Sequence, residues 1–182
     1  SNPRGINFRP DGTKMFMIGV STDSVYSYTL STPWDLNSAS YDGVSFDVSS
    51  EDSNPGDIYF REDGAKMFMV GINSDSVHSY TLSTPWDLST ASYDSVSYNV
   101  ARNMSEIKFK PDGTEMYISS VTEQEIVGFL LSTAWDISTA SYQKTFSVTN
   151  EATAPAGIFF KDDGTKMYVF CATTDSIHAY DL

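Results

Sequence analysis

Ser27-Tyr28-Thr29-Leu30-Ser31-Thr32-Pro33-Trp34-Asp35-Leu36 recurs letter for letter from Ser79 to Leu88. A looser copy, Leu131-Ser132-Thr133-Ala134-Trp135-Asp136-Ile137, comes later in the chain. Such a recurrence makes the chain an array, so one structural unit has to account for most of its length. Asp-Gly pairs mark the same period: Asp11-Gly12, Asp63-Gly64, Asp112-Gly113 and Asp163-Gly164, spaced 52, 49 and 51 residues apart. The units run over 1–52, 53–103, 104–152 and an incomplete 153–182, together one domain. Their length differences fall between the periodic segments, where a repeated structure tolerates them.

Each unit reads as four strands. The first covers Gly5 to Arg9, with counterparts at Asp57 to Arg61, Glu106 to Lys110 and Gly157 to Lys161. The Asp-Gly pair then forms a tight hairpin turn, because glycine accepts a positive φ. The second strand, Lys14 to Ile18, is apolar on both faces and therefore buried on both. Ser24 to Leu30 is the third. After the Trp-Asp-Leu connection comes the fourth, Val44 to Val48, whose strict alternation leaves one face in water. No stretch has helical periodicity. Four short antiparallel strands repeated at this interval form a β-propeller blade. The expected fold is all-β, a propeller of four-stranded antiparallel blades, about four in this chain, the last lacking its outer strand.

At this point the repeats resemble a known family. Phe8 to Met17 (Phe-Arg-Pro-Asp-Gly-Thr-Lys-Met-Phe-Met) and Phe160 to Val169 resemble the Pro-Asp-Gly hairpin of bacterial propellers of the YVTN and lactonase-like type. The longer phrase ending at Tyr93 is similar to repeats of marine bacteriophage virion and tail-associated proteins and of bacterial surface proteins. The resemblance covers the whole chain and implies the propeller fold. It supplies no catalytic residues, because propellers carry unrelated activities.

Bulk properties bound the partners. The chain carries 11 basic and 24 acidic residues, a net charge of -13. That sign disfavours nucleic-acid backbones and anionic membranes. No apolar run approaches the roughly 20 residues of a membrane-spanning helix. No signal-peptide pattern opens the sequence, although Ser1 fits a trimmed chain. The lone cysteine, Cys171, lies in an apolar run and reads as a buried thiol.

Several positions invite a functional reading. Arg9, Arg61, Lys110 and Lys161 share one register position at the end of the first strand. Lys14, Lys66 and Lys166 share another after the turn, where the third unit has Glu115. Ringed on one face, such cations could hold a carboxylate or sulfate. The simpler reading, preferred here, is pairing across the hairpin with Asp11, Asp63, Asp112 and Asp163, or with Glu62 and Asp162. Trp34, Trp86 and Trp135 recur between the third and fourth strands. Exposed, they would stack on sugar rings; buried, they would plug the wedge between blades, which is the preferred reading. The variable first-strand position carries Asn7, Tyr59, Lys108 and Phe159. His78 and His178 share a third-strand position and read as structural rather than metal-binding. Asp23, Asp75 and Asp175 read as turn formers, since no calcium-loop spacing surrounds them. Met15, Met67, Met116 and Met167 read as core filler.

These readings lead to an expectation of a non-catalytic binding or structural module rather than an enzyme. It would be extracellular or virion-associated, binding a glycan or protein through Trp34, Trp86, Trp135, Arg9, Arg61, Lys110 and Lys161. No metal or cofactor is expected, and neither nucleic acid nor membrane insertion. The incomplete last unit points to a homodimer closing an eight-bladed ring, or to a piece of a longer propeller. The alternatives are a lactonase-like hydrolytic propeller, for which the first strands offer Glu106 and Asp57, and a pure scaffold.

Overall fold

Each Asp-Gly turn is closed by the backbone on both sides. In the first, Gly12 N–H donates to Arg9 O at 2.8 Å and Arg9 N–H donates to Lys14 O at 3.0 Å. Asp11 Oδ1 accepts from Thr13 N–H, also at 3.0 Å. Gly12, Gly64, Gly113 and Gly164 all adopt φ between 70° and 74°, the left-handed region that glycine enters without a β-carbon penalty.

The computed structural model describes residues 2–150, 154–161 and 164–181. Its strands form four antiparallel sheets, each ordered as the chain runs. Blade 1 holds β1 (Pro3–Phe8), β2 (Lys14–Gly19), β3 (Ser24–Leu30) and β4 (Ala39–Asp47). Blade 2 holds β5 (Pro55–Phe60), β6 (Lys66–Gly71), β7 (Ser76–Leu82) and β8 (Ala91–Asn99). Blade 3 holds β9 (Met104–Phe109), β10 (Glu115–Ser120), β11 (Glu125–Leu131) and β12 (Ala140–Ser147). Among the described residues blade 4 has three strands, β13 (Pro155–Phe160), β14 (Lys166–Cys171) and β15 (Ser176–Asp181). The fold is thus all-β, built of propeller blades, the last lacking a fourth strand.

Two strand boundaries differ from the sequence expectation. First strands begin two residues earlier, at Pro3, Pro55, Met104 and Pro155. Proline is tolerated at the first residue of a strand, where its missing N–H breaks no ladder. Fourth strands begin at Ala39 rather than Val44. Ala39, Ser40 and Tyr41 pair with Leu30, Thr29 and Tyr28, and pairing resumes at Ser45 opposite Tyr26. The intervening bulge at Asp42–Val44 contains Gly43 at φ 74° and breaks the alternation that periodicity detects. Blade 3 has a shorter bulge, with Tyr142 opposite Phe129 and Lys144 opposite Gly128.

The chain forms two compact units, residues 1–97 and 98–182. In the first, Phe16, Ile18, Val25 and Val48 of blade 1 pack against Ile58, Phe60, Met67, Met69, Tyr80, Leu82, Trp86 and Leu88 of blade 2. In the second, Tyr117, Ile126 and Val148 of blade 3 meet Ile158, Met167, Val169 and Cys171 of blade 4. Met15, Met67, Met116 and Met167 are all buried, as core filler should be. Burying each large side chain contributes about 1.5–3 kcal/mol. The turns entering the third strands place Asp23, Asp75, Gln124 and Asp175 at φ 45–55°. Aspartate and glutamine therefore serve one left-handed turn position there.

Candidate functional site

The repeated Trp-Asp connection folds back onto the Asp-Gly hairpin. Trp34, Trp86 and Trp135 donate their backbone N–H groups to the carbonyls of Gly12, Gly64 and Gly113 at 3.0–3.1 Å. Each tryptophan holds φ at 63–67°. Each indole lies on the glycine's α-carbon, where an added β-carbon would come within 2.3–2.4 Å of the ring. The following Asp35, Asp87 and Asp136 accept from the N–H two residues on at 3.0 Å, capping a short 3-10 turn. Trp86 is 7% exposed and stacks on Phe16 and Phe60, with ring centroids 6.0 and 5.7 Å away. Trp135 is half-buried beside Phe109 at 5.3 Å, whereas Trp34 is 59% exposed over Phe8 at 5.4 Å. One indole of the three therefore presents a broad face to solvent.

The two cation positions have different partners. Arg9 pairs with Asp11 at 3.1 Å and Arg61 with Asp63 at 2.6 Å. Lys110 reaches Asp112 at 3.6 Å and Glu115 at 3.4 Å. Lys161 sits in the same register, and the hairpin carboxylates beside it, Asp162 and Asp163, lie outside the described residues. Lys14 and Lys66 instead cross to the fourth strand, where Asp42 and Asp94 accept at 2.9 Å. Ser27 and Ser79 hydroxyls donate to the same oxygens at 2.6 and 2.7 Å. Burial pushes both carboxyls up, but hydrogen bonds from the serine, Thr29 or Thr81 and the lysine outweigh it. The net pKa of each lies below the usual aspartate value.

This Lys-Ser-Asp cluster went unread in the sequence, although a signal was present. Unit three replaces all three members together, with Glu115, Gly128 and Gln143. Beside the blade 1 cluster lies a cavity of about 300 Å³, bordered by Arg9, Lys14, Ser27, Asp42, Trp86 and Asp87. It brings together two of the candidate residues, Arg9 and Trp86.

The first strands hold a second set of polar groups. Lys108 Nζ lies 2.6 Å from Glu106 Oε1, with side chains 27% and 17% exposed. The other Glu106 oxygen accepts the N–H of Ile158 on the neighbouring first strand. Asp57, in the same register as Glu106, is buried. Burial, reinforced by Glu62, pushes the Tyr59 hydroxyl up to about 12. His78 is buried with Nε2 3.0 Å from Ser74 Oγ, and burial lowers its pKa against the opposing pull of Asp52. His178 Nε2 lies 2.8 Å from Ser176 Oγ. Cys171 is fully buried, its Sγ 3.2 Å from Thr173 Oγ1. Among the described residues, no three His, Cys, Asp or Glu side chains gather as metal ligands would.

A family model described as lactonase, 7-bladed beta-propeller matches residues 2–182. No curated protein sequence matches. Among solved structures, a protein of unknown function from Desulfotomaculum acetoxidans DSM 771 superposes with a TM-score of 0.71 at 16% identity, covering 100% of this chain and 55% of its own. The periplasmic gluconolactonase PpgL of Pseudomonas aeruginosa gives 0.67 at 16%, covering 98% and 49%. A protein from Bacteroides uniformis ATCC 8492, provisionally described as a 6-phosphogluconolactonase, gives 0.70 at 17%, covering 98% and 50%. The chain spans about half the length of these structures.

The family match overturns the expectation of a non-catalytic module that is not an enzyme. That expectation followed what the repeats share. The titratable first-strand groups lie where the repeats differ: Glu106 and Lys108 occupy the register of Gly5 and Asn7. The virion and surface-protein resemblance has no counterpart among the relatives above.

Proposed function

Because the chain belongs to the lactonase family of seven-bladed β-propellers, we propose that it serves the hydrolysis of a lactone. The observation that carries the site assignment is the 2.6 Å pair of Glu106 and Lys108 on β9, both largely withdrawn from solvent. Opening a lactone needs a proton acceptor for the attacking water and positive charge near the carbonyl oxygen. Glu106 takes the water proton as the water oxygen bonds to the carbonyl carbon. Lys108 stabilises the resulting oxyanion. The ring C–O bond then breaks, and the departing alkoxide takes the proton from Glu106, giving the hydroxy acid. The gluconolactonase named among the structural neighbours makes glucono-δ-lactone a natural first substrate. That neighbour's periplasmic setting also supports a location on the extracellular side.

The test is acid release from glucono-δ-lactone in weakly buffered indicator, corrected for spontaneous opening. Glu106→Gln is expected to lower kcat by about 10²-fold or more, the usual contribution of a general base. Unchanged kcat in a folded Glu106→Gln protein would remove Glu106 from the reaction. No release above background by the parent protein would remove this substrate.

A further inference from the structure

We propose that the cavity between blades 1 and 2 binds a neutral, monosaccharide-sized ring bearing several hydroxyl groups, held by Arg9, Lys14 and Asp42. Its volume of about 300 Å³ lies at the lower end of the roughly 300–1,000 Å³ of small-molecule sites. Both blades that border it belong to one compact unit, residues 1–97. The site uses none of the groups assigned to lactone opening, so the two readings stand or fall separately.

The charges at this cavity decide which ligand it suits. Two cations, Arg9 and Lys14, and two carboxylates, Asp42 and Asp87, border it. Each cation already has a carboxylate, Asp42 at 2.9 Å from Lys14 and Asp11 at 3.1 Å from Arg9. Asp87 Oδ1 accepts from the Ser89 N–H at 3.0 Å and from its hydroxyl at 2.6 Å. These charges are matched within the protein, which disfavours an ionic ligand, yet the paired groups keep hydrogen-bonding capacity. An ammonium has three N–H groups and an ionised carboxylate about four acceptor sites. Burial raises the Asp42 pKa, but hydrogen bonds from Ser27, Thr29 and Lys14 outweigh it, so the carboxylate is ionised at neutral pH. Arg9 meets Asp11 through Nε, whereas Arg61 in blade 2 engages Asp63 with both Nε and Nη2. The outer guanidinium nitrogens of Arg9 are therefore available to a ligand.

Adjacent donors and acceptors are what neighbouring hydroxyl groups require, since each hydroxyl both donates and accepts. Hydrogen bonds to ionised partners are roughly twice as strong as neutral ones. Ser27, 2% exposed, donates to Asp42 at 2.6 Å and fixes the carboxylate from behind. Val44, Pro85 and Leu88 supply apolar surface on the remaining wall, which the C–H groups of such a ring would cover. Trp86 contributes only its rim, because its ring already packs on Gly64, Phe16 and Phe60. The Lys-Ser-Asp cluster by itself braces a blade, as it does in blade 2. The cavity and the half-engaged Arg9 make the blade 1 copy a site.

The test titrates D-glucose, D-galactose, D-xylose and myo-inositol separately into isotope-labelled protein, following backbone amide and indole N–H resonances. Saturable shifts at Lys14, Ser27 and residues 86–88 are expected with at least one of these compounds. Asp42→Asn should weaken that binding at least about tenfold, as for loss of a hydrogen bond to a charged group. Because Asp42 also braces the blade, Arg9→Gln, at a side chain 40% exposed, is the deciding variant. It should weaken binding by about threefold or more. Unchanged affinity in a folded Arg9→Gln protein would overturn the proposal. So would absence of saturable shifts with all the compounds at high millimolar concentration. Tighter saturation of the same amides by sulfate or gluconate would also overturn it, making the cavity an anion site. These titrations involve no lactone, so their outcome leaves the assignment of Glu106 untouched.

Discussion

The indole of Trp86 lies so close to the turn at Gly64 that a β-carbon on that glycine would sit 2.4 Å from both Nε1 and Cδ1. The glycine is thus required twice, once for its φ of 74° and once for lack of a side chain. The tryptophan in turn donates its backbone N–H to Gly64 O at 3.1 Å, while its ring stacks on Phe16 and Phe60. Two recurring sequence features, Asp-Gly and Trp-Asp, are therefore one structural device.

Loss of that device should scale with burial. Trp86→Ala is expected to cost about 3–5 kcal/mol, as for other buried large-to-small changes. Trp34→Ala removes a ring that is 59% exposed and should cost well under half as much. Gly64→Ala should cost more than the roughly 1–2 kcal/mol of a left-handed alanine, since the indole must also move. Urea unfolding of the three variants, monitored by far-UV circular dichroism, measures each difference.

The first strands of neighbouring blades approach unequally. A β-carbon on Gly5 would meet Asp57 Oδ1 at 2.3 Å and Asp57 Cα at 2.8 Å, whereas one on Gly157 would find only ordinary contacts at 3.5 and 3.8 Å. Gly5→Ala should therefore destabilise by about 1–3 kcal/mol, the range for overpacking. Gly157→Ala should stay within about 0.5 kcal/mol of the parent. Thermal melts at one pH decide the comparison. Equal effects would mean that β1 and β5 are not so tightly apposed.

Acid should weaken the blades through Asp42 and Asp94. Both folded-state pKa values are depressed, because hydrogen bonds and the paired lysines outweigh burial. Their stabilising contribution is complete above the unfolded value of about 3.9 and is lost as pH falls through the folded value. An Asp42→Asn/Asp94→Asn protein should lose less stability between about pH 4 and pH 2 than the parent. Urea midpoints across that range provide the measurement.

His78 acts in a higher window. Burial holds its folded pKa below the unfolded value of about 6.5, so the unfolded chain takes up the proton first. Its contribution is complete above that value and declines as pH falls toward the folded one. His78→Gln should flatten the melting-temperature profile between about pH 7.5 and 5. An unchanged slope would place that pH dependence on another group.

The blades are legible in short stretches of sequence. Hairpin chemistry at Asp-Gly and apolar strands such as Lys14 to Ile18 recur in all four units, and an exact decapeptide joins the first two; these are local signals that point to one blade. They also marked Trp86 and the cations as repeating positions. Local signals could not say which partner each repeated residue meets. Proximity in the hairpin favours Asp11 as the partner of Lys14, yet Lys14 crosses the sheet to Asp42, which sits at the bulge in β4. The same three residue types recur in blade 2 and are replaced together in blade 3, a pattern the aligned repeats carry and the strand register explains by placing the three side chains together. Trp86 is covered while Trp34 is exposed because coverage depends on the rings of an adjoining blade, a long-range contact. The tertiary structure likewise brought Glu106 to the backbone of Ile158 on the neighbouring first strand. Packing between strands distant in sequence decides both, and a repeat pattern does not record it.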